Sequence, residues 1–285
     1  MELRKSERSK AKIKMALQGP SSSGKSMSAI LLAQGLAKGD LSKVAVIDTE
    51  NGSADLYAHI GDYNVLGLKT FSPDNYVEAI TVCEKAGMEV IIIDSISHCW
   101  NYILDYHSSL PGNSFTNWQK INPLEKKFID KILQSPAHII ATMRVKQDYI
   151  LNQKDGKFVP EKVGLKAIQR DGVDYEFTIV FDLDIKHFAS SSKDRTQLFE
   201  KSLPFVINSA TGKKILDWCN STLTKNELKV KVDECTSISE LTLLYNSNPD
   251  LAKTVEQDFI LKKNLLLELT KNISSNGNGT SNSQK

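Results

Sequence analysis

The chain has little cysteine: Cys83, Cys99, Cys219 and Cys235 are its whole complement, far apart and without a C-x-x-C pair. That spacing argues against a structural zinc site or a disulfide framework and fits a reducing compartment. Charge of one sign is also scarce. With 36 Lys+Arg against 34 Asp+Glu, the net charge of +2 gives no case by itself for a nucleic-acid partner. No run approaches ~18 consecutive apolar residues, and the opening "MELRKSERSKAKIK" lacks an apolar signal core. A cytoplasmic, soluble protein without a membrane partner is therefore expected. Internal repeats are absent. The 25% charged and 40% hydrophobic residues are those of an ordinary globular chain. The length of 285 residues suits one large domain with a smaller appendage.

What the chain does have is a series of short apolar runs rich in β-branched residues: "IKMALQ", "VAVIDT", "VIIID", "HIIATM" and "FTIVFDLD". Helical patterns separate them, including "SMSAILLAQGLAKG", which ends near Gly39, and "PDNYVEAITVCEKAG", with Asp74 near its start and Gly87 at its end. This alternation predicts an α/β fold with a parallel sheet flanked by helices. Further helices follow Asp94, joined by a loop near Leu110 to Thr116, and Asp155-Gly156 between extended stretches predicts a hairpin. From about residue 220 the pattern is helical only, and "SSNGNGTSNSQK" reads as a low-complexity, disordered tail. The expected divisions are a basic arm over 1–9, a core over 10–219, a helical region over 220–272 and a tail over 273–285.

Between "IKMALQ" and the first helix lies "GPSSSGKS", which fits G-x-x-x-x-G-K-[ST] with Gly19, Gly24, Lys25 and Ser26. A strand, a glycine-rich loop and a helix in that order form a phosphate cradle, whose backbone N–H groups point at anionic oxygens near the positive helix end. Gly19, Pro20, Ser21, Ser22, Ser23, Gly24, Lys25, Ser26 and Met27 are thus the candidate nucleotide contacts. Lys25 is expected on the terminal phosphates and Ser26 on Mg²⁺. "EVIIIDSIS" delivers Asp94 at the end of a buried strand, where a carboxylate suits the Mg²⁺ shell, mainly through water. Many P-loop ATPases carry a catalytic glutamate next, but Ser95 stands there, so the base must lie elsewhere. Asp48 and Glu50 in "VAVIDTENGSADLY" are available. For Asp48, a role in shaping the following loop has equal weight.

Together, "GPSSSGKS", "VIDTENGSADLYA" and "VIIIDSIS" resemble the RecA-type recombinase ATPases over roughly the first 145 residues. The resemblance implies ATP and Mg²⁺ as cofactors, Glu50 as the water-activating catalytic carboxylate and Asp94 as the metal aspartate. "ATMRVKQDY", "KVGLKAIQRDGVDYEFTIVFDLD" and "SSKDRTQLF" are similar to the RecA-like AAA-type ATPases of phages and mobile elements, over roughly 10 to 218. Some members of that group are associated with recombination and single-strand annealing. The chain departs from true recombinases after "HIIATM", where Arg144 and Lys146 replace a phosphate-sensing glutamine. "QDYILNQKDGKFVPEKVGLKAIQRDG" is also no evident copy of a recombinase DNA loop.

Two segments are locally basic: residues 143–170 carry seven cationic against three acidic residues, and residues 1–14 carry six against two. Such clusters suit phosphate contacts with single-stranded DNA, and Trp118, Tyr149 and Phe158 are available for base stacking. They are equally usual as solvated surface and core. Lys193 and Arg195 follow the last strand and are candidate catalytic fingers for the nucleotide of a neighbouring subunit, which implies a homo-oligomer; a surface ion pair is the alternative. His98, His138 and His187 read as structural. The expected function is a Mg²⁺-dependent ATPase of phage or mobile-element DNA recombination, repair or annealing. A nucleotide-gated assembly module is the first rival and a small-metabolite P-loop kinase the second.

Overall fold

The computed structural model describes residues 12–154, 157–220 and 225–276. The predicted 1–9 arm and the hairpin tip at Asp155-Gly156 lie outside the described residues. One compact unit spans Lys10–Cys219 and a second begins at Asn220.

The larger unit is built on a nine-stranded, mostly parallel sheet. Its strands are β1 (Lys14–Gly19), β2 (Val44–Asp48), β3 (Asn64–Gly67), β4 (Val90–Asp94), β5 (His138–Lys154), β6 (Lys157–Ala167), β7 (Ile179–Leu183), β8 (Phe188–Asp194) and β9 (Phe205–Val206). They lie in the order β3-β2-β4-β5-β1-β7-β8-β9, with β6 paired to β5 alone. The pairs β3–β2, β2–β4, β4–β5, β5–β1 and β1–β7 are parallel; β8 and β9 extend the sheet antiparallel. The predicted α/β class is what the structure has.

Successive strand residues face opposite sides, so each apolar run serves two cores at once. In β4, Val90 and Ile92 join one cluster, while Ile91 and Ile93 join the other. The first cluster packs under α1 (Lys25–Leu36). The second packs under α2 (Pro73–Lys85), α3 (Ser97–Ser109) and α4 (Ser114–Gln134), through Tyr76, Ile80, Ile103, Ile121 and Phe128. α5 (Ser209–Asn220) crosses α1 at Gly35 and Gly212. A β-carbon on Gly35 would stand 2.5 Å from Lys213 N and nearer still to Ser209 O, both main-chain atoms. The two helices are therefore in direct backbone contact. Ser72 caps α2 by accepting the N–H of Asn75, and Pro73 occupies its first turn, as that sequence favours.

β5 is a single strand with two halves. From His138 it runs parallel between β4 and β1, and from Val145 onward it pairs antiparallel with β6. The hairpin read from the sequence is thus the outward continuation of a core strand.

The second unit consists of α6 (Lys225–Glu234), α7 (Ile238–Ser247), α8 (Pro249–Lys253) and α9 (Glu256–Asn276). Leu228, Val232, Leu241, Ala252, Val255, Phe259 and Leu266 form its own small core. α9 runs to Asn276, past the expected start of the tail at 273. No helix among the described residues is long and apolar enough to cross a membrane.

Candidate functional site

Parallel pairing brings the ends of β1, β2, β4 and the inner half of β5 to one edge of the sheet. Asp48 stands opposite Asp94, and Gly19 opposite Arg144.

The loop from Gly19 to Gly24 turns tightly enough to exclude side chains at both glycines. A β-carbon on Gly19 would lie 2.6 Å from Leu183 O, and Gly24 has φ +83°, a conformation that glycine adopts without cost. Gly24 is also the N-cap of α1 and offers no side-chain acceptor, and the first turn contains no acidic residue. No side chain caps the amides there, an arrangement that suits an external anion. The Ser23 hydroxyl is wholly buried in the loop and lacks a partner. Lys25 folds back over the loop and donates to Gly19 O at 3.0 Å and Pro20 O at 2.7 Å. Burial lowers its pKa, partly offset by the Asp94 and Glu50 carboxylates.

Asp94 is 5% exposed and shared between two hydroxyls: Ser26 Oγ donates to Oδ2, and Thr142 Oγ1 to Oδ1 at 2.5 Å. Burial raises its pKa, while these two hydrogen bonds pull it back. Oxygen donors on Ser26 and Asp94, facing an anion cradle, are the hard, sparse ligand set that suits Mg²⁺ carrying its own waters. No cluster of three or more His, Cys, Asp or Glu residues fit to hold a metal occurs among the described residues. The Ser95 hydroxyl, beside Asp94, is a second buried polar atom without a partner.

Asp48 settles as a turn-former. Its Oδ1 accepts the N–H of Glu50 at 2.6 Å and its Oδ2 that of Ala54 at 3.1 Å, at 3% exposure. It thereby presents Glu50, whose carboxylate is gripped by Arg144 through both Nε, at 3.0 Å, and a terminal nitrogen. Thr49 braces the adjoining backbone: its hydroxyl accepts the Ser95 N–H at 2.7 Å and lies 2.7 Å from His98 Nδ1. His98 stacks on Phe71, with centroids 4.9 Å apart. Its structural reading holds, but within the layer just behind the site.

Lys193 and Arg195 are not brought to this edge. Lys193 pairs with Val180 near the start of β7, at the opposite end of the strand from Leu183 and the loop. Lys193 Nζ donates to Asp174 O at 2.9 Å, and Arg195 to Tyr175 O at 3.0 Å. Asp194 between them organises the turn by accepting N–H groups of Thr196 and Phe199, each at 2.7 Å. Trp118 is engaged within its unit, stacking on Trp100 at 6.0 Å and His107 at 4.4 Å, so its ring is no free platform for a base. The side chains of Tyr149 and Phe158 lie outside the described residues. Thr142, Thr49 and the Arg144 grip are site features that sequence reasoning missed.

A family model described as an AAA domain matches residues 11–230, most of the chain. The chain belongs to that family of P-loop AAA-type domains, which agrees with the loop and acidic strand above. No curated protein matches it.

Proposed function

We propose that the protein is a Mg²⁺-dependent ATPase of the RecA-like type, serving recombination, repair or annealing of phage or mobile-element DNA. The observation that carries this reading is the convergence of the phosphate loop, Asp94 and Glu50 on one sheet edge. Amides of the first turn of α1 and Lys25 hold the phosphates. Glu50 accepts a proton from water as its oxygen attacks the terminal phosphorus and the bond to the leaving ADP oxygen breaks. Ser26 and Asp94 would hold Mg²⁺, which when bound supplies charge neutralisation at the phosphate oxygens.

Support for a DNA link comes from topology and charge. Most of the basic stretch 143–170 lies on the paired strands β5 and β6, and Arg144 stands where that pairing begins, Ile168 N donating to Arg144 O at 2.7 Å. In this reading single-stranded DNA binds along the hairpin, with residues 1–14 adding charge. Lys193 and Arg195, distant from the chain's own loop, serve the nucleotide of a neighbouring copy in a homo-oligomer.

The Glu50–Arg144 pair favours one rival, a nucleotide-gated assembly switch with little hydrolysis, because a carboxylate held bidentate is withdrawn from base catalysis. ATP turnover and sedimentation with and without single-stranded DNA separate the two. An ATPase shows turnover that Glu50→Gln abolishes while ATP still binds. Normal turnover in Glu50→Gln refutes the assignment of the base, and absent turnover with DNA-dependent assembly selects the switch.

A further inference from the structure

The turn joining β7 to β8 flanks the phosphate loop and has no part in the chemistry above. Asp184 locks it: Oδ1 accepts the N–H groups of Lys186 at 2.8 Å and Phe188 at 2.9 Å, and its carbonyl accepts that of His187 at 3.1 Å. Inside this clamp His187 is held at φ +68°. For a residue with a β-carbon that conformation costs roughly 1–2 kcal/mol, and such strain collects at ligand sites. Its imidazole is exposed. Its Nδ1 nonetheless lies 2.9 Å from where a β-carbon on Gly24 would stand. Leu183 O, at the start of the turn, crowds Gly19 in the same way. The turn therefore lines the loop from its first glycine to its last.

Strand order gives the site a direction. β1 has β5 on one side and β7 on the other. Asp94 on β4, Thr142 and Arg144 on β5, and Glu50 held by Arg144 all lie on the β5 side. On the phosphate-loop reading those groups would hold the terminal phosphate there. The opposite end of the same molecule must leave the loop on the β7 side, where His187 stands.

We propose that the Asp184–Phe188 turn is the nucleoside wall of the site and that the His187 imidazole stacks on the base. The inference rests on the phosphate-loop reading. An exposed ring on a backbone-clamped turn beside the last loop glycine gives a base a flat partner whose main chain has already been ordered in folding.

The test is calorimetric titration of ATP, ADP and inorganic tripolyphosphate, with Mg²⁺, into the full chain and two variants. His187→Asn tolerates the left-handed turn and removes the aromatic platform; His187→Phe keeps a ring. The expected result is an about tenfold loss of affinity for ATP and ADP in His187→Asn, the scale of one base–aromatic stack. Tripolyphosphate affinity stays within about twofold, and His187→Phe recovers most of the loss. Equal losses for tripolyphosphate and ATP would mean that the ring only shapes the loop and would overturn the proposal, as would unchanged ATP affinity. If the unmodified chain binds none of the three, the phosphate-loop reading itself falls.

Discussion

Replacing Gly35 by alanine sets two known effects against each other. In the middle of a helix, Gly→Ala ordinarily stabilises by about 1 kcal/mol through backbone entropy. Here the new methyl group meets the main chain of α5, 2.5 Å from Lys213 N and closer to Ser209 O, where a real β-carbon never approaches within 3.0 Å. No flexible side chain is present to yield, so α1 and α5 must separate. Overpacking of this kind costs about 1–3 kcal/mol, and rigid backbone neighbours put it at the upper end. The net expectation is a destabilisation of about 2 kcal/mol, or roughly 4–8 °C in Tm for a domain of this size. Because α1 carries Lys25 and Ser26, nucleotide affinity falls with it. Thermal unfolding and ATP titration of Gly35→Ala measure both. The Gly35→Ala/Gly212→Ala double variant should lose less than the sum of the singles, since one displacement accommodates both methyls. A Tm that is unchanged or raised in Gly35→Ala would refute the backbone-contact argument.

Two further outcomes are expected. Arg144→Ala frees Glu50 and should raise turnover without DNA while flattening any stimulation by it; turnover that stays low without DNA and still responds to DNA would show that the pair restrains nothing. His138 is 3% exposed and accepts the Ile13 N–H at 3.1 Å, and burial, with the nearby Lys12 and Lys14 charges, pushes its pKa down to about 3. The unfolded chain then takes up the proton first. Stability is full above the unfolded value of ~6.5 and falls as pH drops toward 3, by up to about 1.4 kcal/mol per pH unit. Urea midpoints between pH 7 and 4.5 should show a steeper acid loss in the natural chain than in His138→Gln, and parallel slopes would remove His138 from the account.

The parts of this protein legible in its sequence are those set by local physics. β-Branched runs ending in Gly19, Asp48 and Asp94 became parallel strands of one sheet, and the glycine pattern before Lys25 became the loop. The hairpin could be read for the same reason. β3 escaped notice because Asn64–Gly67 is short and mostly exposed, with no apolar run to announce it. Arg144 was legible as an oddity at the end of "HIIATM", but its grip on Glu50 depends on the register of β5 beside β1, which no spacing in the chain encodes. His187 was read as structural. Only the folding of β7 and β8 back onto the loop gives it a neighbour.

β5 has one more consequence. Its inner and outer halves are one continuous strand, so the hairpin is tied along the main chain to the rungs shared with β1 and β4, with one register irregularity at Asp148/Tyr149 in the outer half. Those rungs allow only whole-residue steps. A shift of one residue, about 3.3 Å, would turn Arg144 to the other face of the sheet, and a shift of two would carry it ~6.6 Å from its place opposite Gly19. The register of β5 between β1 and β4 is therefore what sets Arg144 opposite Gly19 and within reach of Glu50.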